Sequence, residues 1–143
     1  MVKYEQKVVV RLQVNNETYE VAVRPSDLLL DVLREQLGLT SPKPGCLNGD
    51  CGACTIIVDG LPAKSCLMLA VEAEGHSVLT VEGLNGSAPI QKAFIDANAF
   101  QCGYCTSGFL MVCHALQMQY PTMPEECVVE EWLQSNLCRC TSY

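Results

Sequence analysis

The sequence predicts an α+β fold in which a strand-rich first half is followed by an all-α second half. Two runs near the N-terminus alternate apolar and polar residues with the period of two that is typical of strands. Beyond about residue 84 the apolar residues recur at helical spacing instead. The chain has ten cysteines among 143 residues. Most of them lie outside the predicted strands and helices, which makes them the first candidates for function.

The first half begins with a predicted β-hairpin followed by a helix. Residues 8–14 and 18–23 alternate apolar and polar side chains on either side of the turn signal Asn15-Asn16. Pro25-Ser26-Asp27 is typical of a helix start, and apolar residues then recur every three or four positions until Gly38, which is placed to end the helix.

A second group of strands is predicted after an aperiodic loop that spans residues 39–54. Residues 55–59 form a short strand, and Asp59-Gly60 is a hairpin turn signal. We expect a short helix from Cys66 to about Ala73 and a closing strand over residues 76–82. The result is a small sheet that wraps one helix.

Three helices are predicted in the second half. Ser87 is placed to cap the first helix, which has Pro89 in its first turn and an apolar face that ends at Ala97. Residues 106–119 are apolar nearly all round, so this helix is expected to be buried. Glu125 and Glu126 begin the third helix, whose apolar stripe consists of Val128, Val129, Trp132 and Leu133. We therefore expect domains at 1–83 and 84–143.

Composition excludes several classes of protein. The formal net charge of −7 argues against binding to nucleic acid or to an anionic membrane surface. No apolar stretch is long enough for a membrane span, and the first residues lack a signal-peptide pattern. We therefore expect a reducing, cytoplasmic environment, in which clustered cysteines bind metals or react more often than they form a secreted disulfide scaffold.

The first cysteine group lies in the glycine-rich loop Gly45–Cys54. Cys46, Cys51 and Cys54 have the spacing C-x4-C-x2-C, and Cys66 follows, which is the spacing of a plant-type [2Fe–2S] site. Glycines at positions 45, 49 and 52 permit left-handed backbone and close approach of N–H groups to the sulfurs. Such donors stabilise a negatively charged cluster.

The second cysteine group has the spacing C-x2-C-x32-C-x-C. Cys102 and Cys105 precede the buried helix, whereas Cys138 and Cys140 follow the last helix, so antiparallel helices would bring the pairs together. Four thiolates there suit either another [2Fe–2S] cluster or zinc, although a C-x-C pair is unusual for structural zinc. The two C-x-x-C pairs also resemble thiol–disulfide redox motifs, but both lack the βαβ context of such motifs.

The other metal-binding residue types are predicted to have structural roles. Cys113 and Cys127 are expected to be buried and to behave as small apolar residues. His76 and His114 are single histidines without a neighbouring cysteine motif, so surface or hydrogen-bonded positions are expected for both.

The two cysteine groups together with their flanks resemble the small iron–sulfur subunit of the molybdenum hydroxylases, the family of xanthine dehydrogenase, aldehyde oxidoreductase and carbon monoxide dehydrogenase. The resemblance covers nearly the whole chain. The matching segments are Leu28–Leu39, Gly45-Cys46, Gly49–Thr55, Ser65-Cys66, Gln101–Thr106 and Asn136–Thr141.

The resemblance implies a plant-ferredoxin-like β-grasp domain followed by a helical bundle, each with one [2Fe–2S] cluster. The proximal cluster would be held by Cys102, Cys105, Cys138 and Cys140, and the distal cluster by Cys46, Cys51, Cys54 and Cys66. Electrons would come from molybdopterin on a large partner subunit and leave toward FAD on a medium subunit. Gln101 and Cys140 match positions that approach the pterin. No residue of this chain would convert substrate.

Some features depart from the family pattern, and two other functions stay open at this point. Ser107 replaces the usual proline, Ser142 replaces the usual glycine, and the chain stops at Tyr143, before the further helix that the family normally has. A free-standing ferredoxin-type carrier would need only the first cysteine group. A zinc-bound interaction module would use the second group without electron transfer.

Overall fold

A computed structural model of the chain describes residues 6–141. The first part is a five-stranded sheet with the order β2-β1-β5-β3-β4, in which β1 and β5 are parallel and the other neighbours are antiparallel. The strands are β1 (Val8–Val14), β2 (Glu17–Val23), β3 (Thr55–Val58), β4 (Leu61–Lys64) and β5 (Ser77–Leu79). Four helices between residues 6 and 141 accompany this sheet, so the predicted α+β class is confirmed.

The alternating residues of the first hairpin supply one wall of the main core. Leu12 and Val14 of β1 and Val23 of β2 are fully buried, whereas Val9 on the opposite face is exposed. Asn15 and Asn16 both adopt left-handed backbone, which is the conformation that a two-residue hairpin turn needs. The predicted hairpin is confirmed, with β2 beginning one residue earlier.

Helix α1 packs across this sheet as predicted, but its hydrogen-bond pattern changes along its length. An α-helical turn at Leu29–Asp31 continues directly into a π-helical segment at Val32–Gln36. The N–H of Leu37 accordingly donates to the carbonyl of Val32 at 3.1 Å, five residues back. Gly38 then adopts left-handed backbone and ends the helix.

The segment after β4 differs from the predicted short helix. Two 3₁₀ turns, Ser65–Leu67 and Ala70–Ala73, are separated by extended backbone. Leu69 pairs with Leu28 as an isolated antiparallel bridge, and Leu29 donates its N–H to the Met68 carbonyl at 2.8 Å. This pairing holds the start of α1 and requires extended backbone, so the apolar run cannot stay helical.

The closing strand is also shorter than predicted, because β5 covers only Ser77–Leu79 and a 3₁₀ turn follows at Val81–Leu84. Thr80 leaves the sheet, and its N–H donates to the Asn15 side chain at 2.9 Å. A tertiary side-chain contact therefore ends the strand, which local sequence does not reveal.

The three predicted helices of the second part are present. They are α2 (Pro89–Asp96), α3 (Thr106–Gln119) and α4 (Glu126–Leu133). Ser87 does not cap α2, since its hydroxyl donates to the Leu84 carbonyl at 3.2 Å and Ala88 occupies the N-cap position. Neither α2 nor α4 has a fully buried residue, whereas Met111, Val112 and Ala115 bury the face of α3. No helix between residues 6 and 141 is long and apolar enough to cross a bilayer.

Helix α3 approaches the cysteine loop through a glycine. An added Cβ on Gly108 would collide with the carbonyl oxygen of Gly52 and lie 2.7 Å from the side-chain nitrogen of Asn136. Gly108 is buried beside Ser107, whose hydroxyl accepts a 3.2 Å hydrogen bond from Lys43 of the loop. The serine that replaces the usual family proline therefore connects the helix with this loop, while Ser142 lies outside the described residues.

The two cysteines outside the predicted metal groups occupy different environments. Cys127 is exposed, so its predicted burial is wrong, because α4 turns this position away from the stripe that packs on α3. Cys113 is half-buried, and burial raises the pKa of its thiol to about 11.

Substitution of Gly108 by alanine should lower stability, although alanine normally favours a helix by about 1 kcal/mol over glycine. The new methyl group must displace backbone at Gly52, so a net loss of about 1–3 kcal/mol is expected from overpacking. Urea denaturation followed by circular dichroism measures it. Gln117→Ala, at an exposed position of the same helix, should stay within about 0.5 kcal/mol of the wild type. Equal stability of both variants would contradict this packing.

The rates at which iodoacetamide alkylates Cys127 and Cys113 should depend differently on pH. Because the thiolate is the reactive form and the raised pKa leaves Cys113 protonated below about pH 11, Cys113 should react slowly at pH 8 and faster as the pH rises. Exposed Cys127 should be modified first, as mass spectrometry of tryptic peptides can measure. A Cys127→Ser variant should take up almost no label at pH 8 outside the two cysteine groups.

Candidate metal centres

The loop that carries the first cysteine group is held at both ends by hydrogen bonds. Arg34 of α1 donates from Nη1 to the carbonyls of Thr40 and Pro42 at 2.8 and 2.9 Å. Further along, the N–H of Lys43 donates to the Ala53 carbonyl at 2.9 Å, which closes the loop onto its own end. Protein hydrogen bonds thus fix both ends of the loop.

Left-handed backbone shapes the interior of this loop. Gly49 and Gly52 have positive φ as predicted, and Leu47 also adopts this conformation although it is not a glycine. Gly45 does not have positive φ. Glycine is needed at position 45 because there is no room for a side chain: an added Cβ would overlap the sulfur of Cys51. The sequence prediction identified the three glycines and missed Leu47.

The thiols of the first group lie as two pairs. Cys51 donates its N–H to the Cys46 sulfur at 3.3 Å, and both residues are half-buried. Cys54 and Cys66 are buried and pack together against Leu30. Ser65 maintains this second pair, because its N–H and hydroxyl both donate to the Cys54 carbonyl, at 3.3 and 2.8 Å.

The electrostatic environments of the first-group thiols differ strongly. Backbone N–H groups of Asn48, Cys51 and Asp50, with the first contributing most, lower the pKa of Cys46 to about 7. Burial raises the pKa of Cys66 to about 11. The N–H donors that favour a thiolate at Cys46 would equally stabilise sulfur bound to iron.

The second group also forms two pairs, at the ends of α3 and α4. The thiol of Cys102 lies beside that of Cys140, and the thiol of Cys105 lies beside that of Cys138. The hydroxyl and N–H of Thr141 donate to the Cys138 sulfur at 2.9 and 3.4 Å and lower the pKa of this thiol to about 7. Burial raises the pKa of Cys105 to about 11.

This pairwise arrangement fits dinuclear clusters. In a [2Fe–2S] site four thiolates are shared between two irons, and each iron takes a pair. Within residues 6–141, no three side chains of the metal-binding types converge as they would around one ion. The division into pairs therefore accommodates a [2Fe–2S] cluster in each group.

A cavity of about 810 Å³ lies beside the second group. Its walls are largely apolar and include Phe94, Phe109 and Leu133. Gln101 and Cys140 also line the cavity, and both are exposed. Cys102 and Cys140 of the second group are consequently accessible from outside, whereas Cys54 and Cys66 of the first group are buried.

One buried side chain joins the two groups. Asn136 is fully buried, and its Nδ2 donates to the Gly52 carbonyl at 3.2 Å. The next residue, Leu137, donates its N–H to the Cys51 carbonyl at 2.9 Å and directly precedes Cys138. Cys51 of the first group and Cys138 of the second are therefore connected through covalent bonds and one hydrogen bond.

Sequence reasoning missed Lys64, which lies at the same junction. Its ammonium donates to Thr55 Oγ1 at 3.1 Å, to the Ser135 carbonyl at 2.7 Å and to Asn136 Oδ1 at 3.1 Å. Burial lowers the pKa of this ammonium, and the distal thiol groups oppose that shift. Only its position two residues before Cys66 could have drawn attention to it.

The histidines lie apart from both groups of thiols. His76 contacts the Asp59 carboxylate at 2.5 Å on the surface, in agreement with the prediction. His114 differs from the prediction, because its Nδ1 is buried without a hydrogen-bond partner within the described residues. Neither position suggests a metal ligand.

Comparison with known families gives two matches, one over each part of the chain. Residues 1–102 match the family described as "2Fe-2S iron-sulfur cluster binding domain". Residues 80–143 match a second family, "[2Fe-2S] binding domain". The two matches overlap between residues 80 and 102 and together span the chain.

Individual relatives are similar over almost the whole length. The chain is 44% identical over 137 residues to one subunit of the nicotinate dehydrogenase of Pseudomonas putida, which covers 94% of this chain and 87% of that protein. It is also 44% identical over 135 residues to one subunit of the probable xanthine dehydrogenase of Bacillus subtilis, covering 93% and 78% of the two chains.

Solved structures agree with these relationships. Quinoline 2-oxidoreductase from Pseudomonas putida superposes with a TM-score of 0.90 at 42% identity, over 97% of this chain and 87% of the other. The aldehyde oxidoreductase from Desulfovibrio desulfuricans gives 0.87 at 43% identity, over 93% of this chain but only 15% of that longer one. The chain belongs to the small iron–sulfur subunits of the molybdenum hydroxylases, the family that includes nicotinate and xanthine dehydrogenases and aldehyde oxidoreductases.

Proposed function

We propose that this chain relays electrons from a molybdenum–pterin centre on a large partner subunit, through two [2Fe–2S] clusters, toward FAD on a medium subunit. The observation that carries the proposal is the presence of two paired thiol groups joined by the hydrogen bond from Leu137 to Cys51. Membership in the iron–sulfur subunits of molybdenum hydroxylases supports the same role. Bound clusters supply one-electron chemistry, and no residue of the chain is assigned to substrate conversion.

We assign Cys46, Cys51, Cys54 and Cys66 to the distal cluster and Cys102, Cys105, Cys138 and Cys140 to the proximal one. The pairwise arrangement of the thiols supports this assignment. The protein's own contribution is to fix the thiol positions and to direct N–H and hydroxyl donors at the sulfurs. Thr141 serves the proximal group in this way, and the Cys51 N–H serves the distal group.

The exposure of individual thiols supports the proposed order of the two clusters, although Cys46, Cys51, Cys105 and Cys138 are all half-buried. Cys102 and Cys140 are exposed and adjoin the large cavity, whereas Cys54 and Cys66 are buried. We infer that the proximal group faces the pterin-bearing subunit, with Gln101 and Cys140 approaching the pterin. The distal group would then pass electrons to FAD.

The proposed organisation is a β-grasp domain at 1–83 and a helical domain at 84–143. The mixed sheet wrapped around α1 and the helices that follow support this division. A cytoplasmic location and the absence of nucleic-acid partners stay predictions from cysteine content and from the net charge of −7.

The assembled enzyme should contain about four irons and about four inorganic sulfides in this chain, because each cluster contributes two of each. The measurement is iron and acid-labile sulfide analysis of the purified complex, corrected for the iron of other subunits. Gel filtration should place the chain with much larger partners. Migration of the native chain as a small free species would favour a ferredoxin-type carrier instead.

A Cys51→Ser substitution should damage the distal cluster and slow electron delivery to the final acceptor, while the proximal cluster stays reducible by substrate. The reason is that Cys51 lies in the first thiol group only. Electron paramagnetic resonance of the substrate-reduced complex separates the two signals. Cys127→Ser is the matched control and should leave both intact, since this thiol is exposed and outside both groups. Loss of both signals in Cys51→Ser would contradict the assignment.

A further inference from the structure

Lys64 is unusual because its side chain is half-buried and has no acidic partner within residues 6–141. Its three hydrogen-bond acceptors are neutral oxygens, those of Thr55, Ser135 and Asn136. The ion pairs within residues 6–141 are Arg11–Glu20, Arg24–Asp27 and His76–Asp59, and none involves Lys64. A partly desolvated ammonium is costly unless a negative charge lies nearby.

Lys64 lies beside the backbone of the first cysteine group. Lys64 pairs with Thr55 in the β3–β4 register, and Thr55 directly follows Cys54. The Thr55 hydroxyl that accepts from Lys64 itself donates to the Gly52 carbonyl at 2.7 Å, between Cys51 and Cys54. The ammonium is therefore tied to the backbone that carries the distal thiols.

The same ammonium also holds the segment that leads to the proximal thiols. Ser135 and Asn136 lie just before Cys138, and Lys64 contacts both. The positive charge is thus fixed at the junction between the two groups, and Asn136, which it contacts, also donates to the Gly52 carbonyl. Lys64 is half-buried, and near a protein surface the Coulomb interaction between two charges still exceeds that in bulk water.

We propose that Lys64 is a positioning residue for electron transfer whose fixed positive charge serves as counter-charge to the distal cluster and raises its reduction potential. This inference rests on the assignment of a distal cluster to Cys46, Cys51, Cys54 and Cys66. One-electron reduction adds a negative charge to that cluster, and the nearby ammonium stabilises the reduced form. The electron arriving from the proximal cluster is therefore drawn toward the distal one.

The test is an EPR-monitored redox titration of the assembled enzyme with Lys64→Met, Lys64→Gln and Lys64→Arg. Both neutral variants should disfavour reduction of the distal cluster about tenfold, which for a one-electron couple is a fall of about 59 mV. Lys64→Arg keeps the charge and should keep the potential. The proximal potential should change much less in all three variants.

Lys92→Met is the matched control, because it removes the same charge from an exposed lysine of α2 that lies outside both thiol groups. Both potentials should stay as in the wild type. Failure of the neutral variants to load the distal cluster, with loading intact in Lys64→Arg, would also support the counter-charge.

Three outcomes would overturn the inference. These are an unchanged distal potential in Lys64→Met and Lys64→Gln, equal shifts of both clusters, and loss of loading in all three Lys64 variants. The first two would show that the charge does not act on the distal cluster, and the third that the side-chain shape matters and the charge does not. Absence of a distal signal from the wild-type enzyme is distinguishable from all of these, since it would refute the cluster assignment itself.

Discussion

The buried contact between Asn136 and the Gly52 carbonyl is the constraint on which the functional architecture depends. Asn136 has no solvent exposure, so each of its polar atoms needs a partner inside the protein. Gly52 supplies one, and Lys64 and Ser135 satisfy the side-chain oxygen. Because leaving such groups unpaired is expensive, the segment before Cys138 has one well-defined position on the loop that carries Cys51.

That contact also explains why small residues are needed on both sides of it. Gly52 and Gly108 both lack room for a Cβ, and in each case the obstacle includes the Asn136 side chain. Helix α3 and the cysteine loop therefore approach each other at backbone distance. Backbone and short polar side chains lie at the junction of the two thiol groups. Bulkier residues there would push the groups apart.

The two thiol groups have different environments because they belong to different kinds of structure. Cys54 and Cys66 are buried against Leu30 at the edge of the main core. Cys102 and Cys140 lie at helix ends, beside a cavity that the described residues leave open. The first group is thus the more deeply placed of the two, although Cys46 and Cys51 are only half-buried.

Sequence reasoning succeeded where local patterns determine structure and failed where distant contacts override them. The sequence predicted strands β1 and β2 and the bounds of α3 well. In these segments the spacing of apolar residues directly indicates which face is buried. The helix predicted from Cys66 to Ala73 is absent, because pairing of Leu69 with Leu28 requires extended backbone. The apolar neighbours of Cys127 predicted a buried position, but this residue of α4 is exposed to solvent.

Taken alone, the amino-acid sequence determined the α+β class, the eight candidate ligands and the family, because cysteine spacing and its flanks are themselves the chemical requirement for a cluster. Tertiary structure alone decided which thiols pair, which group faces outward and which residues join the groups. The roles of Asn136 and Lys64 arise from contacts with residues more than seventy positions away along the chain. No local pattern encodes such contacts, since they exist only once the segment after α4 has packed against the first cysteine loop.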